Sequence, residues 1–516
     1  MQESRVKKSL LNARVNLIFY ALNLALSFVS RKLFLESLSA EFIGLTTTLN
    51  GFLSFLNLAE LGVGAAIGYL LYKPIYDKNQ GAICEIVSVF GYIYKQVGRF
   101  ILVAGVVLSL FFPLIFAKTD YSFAVIYFAF YCYLASSMLG YFVNYRQVLL
   151  SADQRNYLVS AYSQSAGIAC YVLQMVLVYV TKSPYVWLGV NLLTAALNCI
   201  ILNWKINQIY PWLKTNVKSG KELLKKYPEV MQKTKQVFVH RVATFAQYQI
   251  TPSLIYAFES LTVVAYYGNY TIVVSKITIL FGKFFEGINA GIGNLIAEGD
   301  KSNTMKVYWE MYTLDFFIAG FAIFNIYVLI NPFIELWLGA EYLLDDVVVM
   351  LMLGVSFINL TRTTTDRFIS AHGMFSDVWA PFVETILCVL ISIACGYVWG
   401  LKGVLVGNIV SMAVIICIWK PYFLFHDGFK ESVLRYWFNW GVHIACLLSA
   451  MIVSSHLLSY VHIDPYVGYW DWILYGCISA PLFSVIYITL LIIFTQGARS
   501  FVSRLLGYVK RFITKF

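Results

Sequence analysis

The sequence predicts an all-α polytopic membrane protein of about 14 transmembrane helices, and three observations carry that reading. The composition is 59% apolar and only 13% charged, with a mean hydropathy of +0.70, whereas a soluble domain carries about a quarter charged residues. Apolar windows of about twenty residues recur along the chain, separated by short polar connections. Lysine and arginine gather in alternate connections, as expected when basic residues stay on the cytoplasmic side of a multi-pass protein. A soluble fold is excluded, and the connections leave no room for a soluble enzymatic domain.

In order, the predicted spans are Val15–Leu35, Phe42–Tyr72, Ile83–Phe116, Tyr121–Tyr145, Tyr157–Val180 and Tyr185–Trp204. After a basic stretch come Val242–Phe258, Val263–Ile296, Val307–Ile330, Val347–Ile369, Ala380–Trp399, Gly403–Trp419, Tyr436–Val461 and Trp472–Phe494. The first run is too long for a signal-peptide core and has no small-residue cleavage site, so it reads as a retained helix. Placing the N-terminus inside leaves only Lys118, Lys182 and Lys402 on outer loops. The inner side then takes Arg5, Lys7, Lys8, Lys73, Lys78, Arg146, Arg155, Lys301, Lys306, Lys420, Lys430, Arg435, Arg499, Arg504, Lys510 and Arg511. An even number of spans with both termini cytoplasmic satisfies this asymmetry.

The net charge of +11 sits between apolar segments, so anionic membrane lipids, and not nucleic acid, are the expected partner. The nine cysteines are scattered through apolar runs without metal-ligand spacing, and they read as packing residues. No metal site and no cofactor is predicted.

Residues 205–241 form the longest polar stretch, where Lys214, Lys218, Lys221, Lys225, Lys226, Lys233 and Lys235 interleave with Leu223, Leu224, Val230 and Val237. The pattern suggests a cytoplasmic basic amphipathic linker lying on the inner leaflet, with a solvated linker as the alternative. It divides the chain into an N-terminal lobe, 1–204, and a C-terminal lobe, 242–425, followed by a helix pair and basic tail, 426–516. A weak repeat supports the division. Leu150-Ser151-Ala152-Asp153 ends the fourth span as Ile369-Ser370-Ala371-His372 ends the tenth, and Phe42-Ile43-Gly44-Leu45 corresponds to Tyr266-Tyr267-Gly268-Asn269. Repeated halves are how many secondary transporters build a substrate site.

An ionic side chain inside a span costs on the order of 3 kcal/mol even on a lenient scale, so each needs a partner or a wet cavity. Candidates for substrate binding in a central cavity are Lys276, Lys283, Arg362, Arg31 and Lys32, and candidates for coupling or gating are Glu60, Glu286 and Asp366. Asp315, Arg367 and Glu384 are embedded as well. Lys276, Lys283 and Glu286 share one helix face, and Arg362 and Asp366 are an i,i+4 pair. Such a cationic face with a few carboxylates suits a pyrophosphate and a hydroxyl-rich sugar. Interhelical ion pairing is the structural alternative, as is snorkelling for Arg31, Lys32 and Arg367. Gly62, Gly64 and Gly68 after Glu60, Gly287, Gly291 and Gly293 after Glu286, and Pro252 in the seventh span offer places for close packing or bending.

Several motifs resemble those of the polysaccharide transporter family, the O-antigen and capsular polysaccharide flippases of the multidrug/oligosaccharidyl-lipid/polysaccharide (MOP) superfamily. They are Phe42-Ile43-Gly44-Leu45, Leu58-Ala59-Glu60-Leu61-Gly62-Val63-Gly64 with Leu71-Tyr72-Lys73-Pro74, Leu149 through Tyr157, Gly268-Asn269-Tyr270, Ser370 through Phe375, and Gly400-Leu401-Lys402-Gly403-Val404. The resemblance implies two six-helix lobes around a central cavity plus a C-terminal helix pair, in the bacterial inner membrane. It implies an undecaprenyl-pyrophosphate-linked glycan as substrate, flipped to the periplasmic leaflet by alternating access. H+ or Na+ would be the coupling ion, and a polysaccharide polymerase/chain-length complex a partner. One departure concerns Thr251-Pro252-Ser253, because many relatives carry an Asp where this chain has Pro252.

Two other classes compete. A MATE-like ion-coupled exporter is disfavoured by the cationic bias of the embedded residues. A membrane glycosyltransferase or polymerase needs acid/base or metal-binding carboxylates at an outer loop, whereas Glu341, Asp345 and Asp346 form the only outer acidic cluster and the longest outer loop is His462–Asp471.

Overall fold

A computed structural model describes residues 5–60, 63–153, 155–231, 250–284, 298–374 and 376–513, with 234, 292, 295 and 296 besides. Within these, the side chains of 5–17, 20–21, 58–59, 65–66, 69, 156–157, 160, 280–284 and 508–513 are outside the description. The described residues contain helices and no strand. Among them ten helices are long and apolar enough to cross a membrane. The chain forms two compact units, Met1–Ala265 and Tyr266–Phe516.

In the first unit, helix Arg5–Leu38 packs along Asn156–Thr181, and Asn23 donates to Gln164 across that contact at 2.8 Å. Helix Asn156–Thr181 turns back into Pro184–Ile209 through Lys182, which holds a left-handed conformation, and Pro184 starts the second helix without losing a hydrogen bond. Phe34 and Phe42 meet Trp187 edge-on at 5.9 and 5.5 Å, while Phe112 meets Phe130 at 4.8 Å. These rings form a ring-lined core of this unit.

The predicted second span, Phe42–Tyr72, is interrupted. Helix Ala40–Leu56 gives way to a 3-10 turn, Asn57–Glu60, and a further helix, Val63–Tyr76. Gly44 in the first of these lies against the Leu261 backbone so closely that a Cβ would overlap the carbonyl. Only glycine allows that approach.

The basic linker is partly described. Helix Pro184–Ile209 runs on into it, and a seven-residue helix, Gly220–Lys226, packs on helix Gln80–Ser109. Lys226 and Tyr227 both reach Glu85 at 2.6 Å, and Ser88 accepts from the Asn216 amide at 2.9 Å. This part of the linker is folded onto the unit, and most of 232–249 lies outside the described residues.

The second unit is organised around helix Lys301–Leu338, longer than its predicted span and N-capped by Asp300, which accepts from the Asn303 amide at 3.1 Å. Tyr308, Trp309, Tyr312 and Phe316 on this helix build a cluster with Phe368, Phe425, Phe429 and Tyr436. Farther along, Phe324 stacks on Phe483 at 4.4 Å within a second cluster that includes Leu447 and Tyr487. The helix pair Val433–Leu458 and Tyr469–Phe494 is thus packed onto this unit's central helix.

Helix Ala380–Trp399 has the predicted bounds, and Gly400, at φ 55, turns it into Leu401–Met412. Gly403 and Gly407 face the backbone of Cys395 and Ser392 across this hairpin, where any Cβ would collide. The predicted basic tail contains one more helix, Gln496–Ile513.

Candidate functional site

In the first unit the embedded acid is Glu60, at the end of the 3-10 turn. Tyr94 donates its hydroxyl to Glu60 Oε1, and the Tyr141 hydroxyl lies 2.7 Å from Oε2. The same Tyr141 oxygen is 3.1 Å from Asn57 Oδ1, which also accepts from Ser137 at 3.2 Å. A phenol carries one proton. With Glu60 ionised, Tyr141 donates to the carboxylate. With Glu60 protonated, the acid donates to Tyr141 and the phenol proton turns to Asn57. Both protonation states therefore keep their hydrogen bonds, and among the described residues no cation forms an ion pair with Glu60.

The two cations of the first helix differ. Arg31 is partly buried and donates to the Ala265 carbonyl at 2.9 Å, whereas the Lys32 side chain is exposed on the protein surface. The interruption of helix at Asn57–Glu60 explains why Glu60 faces hydroxyls from other helices and not its own turns.

In the second unit Lys276 is partly buried on helix Leu261–Phe284. Lys283 lies on the same helix, but its side chain is outside the described residues, as is all of Glu286. The glycines Gly62, Gly287, Gly291 and Gly293 are outside them too. Pro252 falls in a described helical stretch, 250–258.

Arg362 and Asp366 are brought together. Their Nε and Oδ2 atoms are 2.6 Å apart, with side chains 25% and 36% exposed, at the junction of helices Asp346–Thr361 and Thr363–Ala371. Arg362 therefore presents a charge already offset by its neighbour. Asp315, 5% exposed, accepts from the Thr364 amide at 2.8 Å and from the Thr364 hydroxyl at 2.6 Å, and so caps the start of Thr363–Ala371 from a neighbouring helix. Arg367 lies within electrostatic reach of Asp315.

Two buried acids escape the sequence reading, Asp377, which is 6% exposed and pairs with Lys420 at 2.6 Å, and Glu310. Glu310 is 4% exposed on helix Lys301–Leu338, bonded to the Ser500 hydroxyl and paired with Arg504 at 3.0 Å. Its partners lie about 190 residues away in sequence, so no local spacing marks it. The signal available was a glutamate in an apolar helix together with an arginine-bearing amphipathic C-terminal stretch.

Three of the residues that carry the resemblance to flippases, Gly44, Gly403 and Tyr270, serve packing. Gly44 and Gly403 permit backbone contacts, and Tyr270 is fully buried, donating to Asn331 at 2.7 Å and accepting from the Leu344 amide at 3.1 Å. They mark a fold, and the fold has solved counterparts. No protein-family description matches the chain, and no curated protein matches it. A structure of the lipid II flippase MurJ in an inward closed conformation is similar with a TM-score of 0.64 at 15% identity, covering 94% of this chain and 100% of that one. An inward-facing multidrug resistance MATE family transporter of the MOP superfamily is similar with a TM-score of 0.56 at 13% identity, covering 77% and 93%. The chain has the fold of the MOP-superfamily transporters.

Proposed function

We propose that the protein is an alternating-access flippase that moves a polyprenyl-pyrophosphate-linked oligosaccharide, a repeat unit of O-antigen, capsule or exopolysaccharide, from the cytoplasmic to the periplasmic leaflet. What carries the reading is a set of ionisable side chains kept within helices of a transporter fold, where each is costly without a partner or a wet cavity and where such residues mark substrate and ion pathways. Lys276, Lys283 and Arg31 are the proposed contacts for the pyrophosphate, with Lys32 and Arg362 at the margins. Glu60 is the proposed coupling carboxylate, because its tyrosine cage accommodates a proton without stranding a charge. Glu286 and Asp366 are the remaining gating candidates. The resemblance of the motifs to polysaccharide transporters supports the lipid-linked glycan, and the MurJ likeness supports a fold able to carry a lipid-linked cargo.

The test is deletion followed by lipid analysis, with an undecaprenyl-linked repeat unit expected to accumulate on the inner leaflet. Lys276→Gln and Lys283→Gln should each remove surface glycan at unchanged protein abundance. Normal surface glycan in both variants takes these lysines out of the site.

The likeness to a MATE transporter favours one second reading, an ion-coupled exporter of small molecules. Under it, deletion raises susceptibility to cationic drugs and leaves undecaprenyl-linked intermediates at their normal level. In either reading the protein transports and catalyses no covalent step.

A further inference from the structure

The second unit holds a cavity of about 710 Å³ that none of the proposed transport residues lines. Its walls come from the first turns of helix Lys301–Leu338, the stretch from Gly428 to Arg435, the first turn of helix Gln496–Ile513, and His372. The distribution of lysine and arginine predicts this end to be cytoplasmic. We propose that the cavity binds a phosphate ester, and that its source is the headgroup of an anionic lipid in the adjoining leaflet.

Charge is the first argument. Lys301, Lys306 and Arg435 line the cavity against a single carboxylate, Glu431. Among the described residues none of these three cations has an ion pair, and all are exposed. The nearby acids are engaged elsewhere, Asp300 as a helix cap and Glu310 with Arg504 and Ser500. Two helices of 38 and 18 residues begin at this cavity, and each adds the positive end of its dipole. Lys301 and Lys306 at the start of one helix and Arg435 at the start of helix Val433–Leu458 are like charges whose mutual repulsion an anion would relieve.

An orphaned donor is the second, independent argument. Trp309 lines the cavity at 7% exposure, and its buried indole N–H meets no acceptor among the described residues. A buried donor without an acceptor is costly. The nitrogen has almost no exposed area, so an oxygen in the cavity reaches it only once the indole or its neighbours shift. His372 donates from Nδ1 to the Phe368 carbonyl at 2.8 Å, so its Nε2 accepts in the neutral ring and donates to a phosphate oxygen only when the ring is protonated.

Depth is the third argument, and it selects the lipid. Helix Gln496–Ile513 exposes Leu505 and Leu506 at 49% and 58% beside Arg499, and it is fastened by Arg504 to Glu310. Exposed leucines and basic residues on one short helix are the composition of a helix lying at the headgroup boundary. Its first turn supplies Gln496, Gly497 and Ser500 to the cavity wall, so the cavity opens where lipid phosphates reside.

The full-length protein in detergent would be examined by native mass spectrometry with added phosphatidylglycerol or phosphatidylcholine, and by binding of radiolabelled orthophosphate. Retention of phosphatidylglycerol over phosphatidylcholine is expected. It should fall by about a hundredfold in K301Q/K306Q/R435Q, since each basic group near a lipid surface is worth about tenfold or less. K306R should retain the lipid, and a matched loss of charge on the linker, K218Q/K221Q/K225Q, should retain it too. Orthophosphate binding that the triple variant abolishes, without selective lipid retention, would keep the phosphate site and assign it a soluble ligand. Equal lipid retention and equal phosphate binding in the wild type and the triple variant would overturn the proposal.

Discussion

Glu60 in the first unit and Glu310 in the second are carboxylates set into helices of the same fold, yet they are held in opposite ways. Glu60 is met by the hydroxyls of Tyr94 and Tyr141 with Asn57 behind them, whereas Glu310 is met by the Arg504 guanidinium and the Ser500 hydroxyl. Protonating Glu60 rearranges hydrogen bonds among neutral groups. Protonating Glu310 leaves an arginine without its counter-charge. Partners, more than depth, therefore separate an acid suited to cycling a proton from one that fastens two helices together.

The comparison can be broken most directly at Glu60. Glu60→Gln keeps the shape and the capacity to hydrogen-bond but cannot exchange a proton, and export should fall about a hundredfold with abundance and Tm unchanged. Wild-type export rates in this variant would remove Glu60 from coupling. Arg504→Ala tests the opposite pole, because it strands a buried charge. A loss of about 3 kcal/mol is expected, at the low end for a buried pair because Arg504 itself is 39% exposed. A thermal melt in detergent that matches the wild type would show Glu310 to be satisfied without it.

Arg362 and Asp366 lie between these poles, paired but partly exposed. A double-mutant cycle with Arg362→Ala and Asp366→Ala should give a coupling of about 0.5–1 kcal/mol, the range of an i,i+4 pair open to solvent. A coupling several times larger would place the pair in a drier setting than its exposure indicates. The smallest effect belongs to the aqueous end, where Asp345 caps helix Asp346–Thr361. Lys402, at 3.0 Å, and the Val347 amide, at 2.8 Å, hold this carboxyl below the usual carboxylate range. A depressed folded value means that the stabilisation is present above the unfolded value of about 3.9 and is lost as pH falls through the folded one. The Tm difference between wild type and Lys402→Gln should accordingly shrink below about pH 4. A difference that stays constant down to pH 2.5 would detach it from Asp345.

What the sequence made legible follows from what each signal measures. Ala380–Trp399 is recovered to the residue because Trp399 and Gly400 end an apolar window abruptly. The interruption at Asn57–Glu60 is hidden because apolar residues flank it on both sides, and an average over about twenty residues smooths over one short polar turn. The polar pair Asn57 and Glu60 within one turn was the available sign. Arg499, Arg504, Lys510 and Arg511 make the last helix look like a basic tail, although Phe501, Val502, Leu505 and Leu506 recur at helical spacing beside them. Composition marks most embedded charges, though not Glu310 or Asp377, and it does not mark the partners that lie far away in sequence. Arg362–Asp366 was readable as an i,i+4 pair, whereas Asp315 with Thr364 and Glu310 with Arg504 depend on tertiary packing that no spacing encodes.

The hairpin joined at Gly400 has a practical use. Gly403 presses its backbone against that of Cys395, and Gly407 packs on the backbone and hydroxyl of Ser392, so the two helices have little slack in which to slide or tilt. Whatever rearrangement accompanies transport, these strips of main chain should travel as one body. Spin labels on the outer faces of the two helices would then supply a fixed internal ruler, a distance that holds in every state and against which displacements elsewhere can be calibrated.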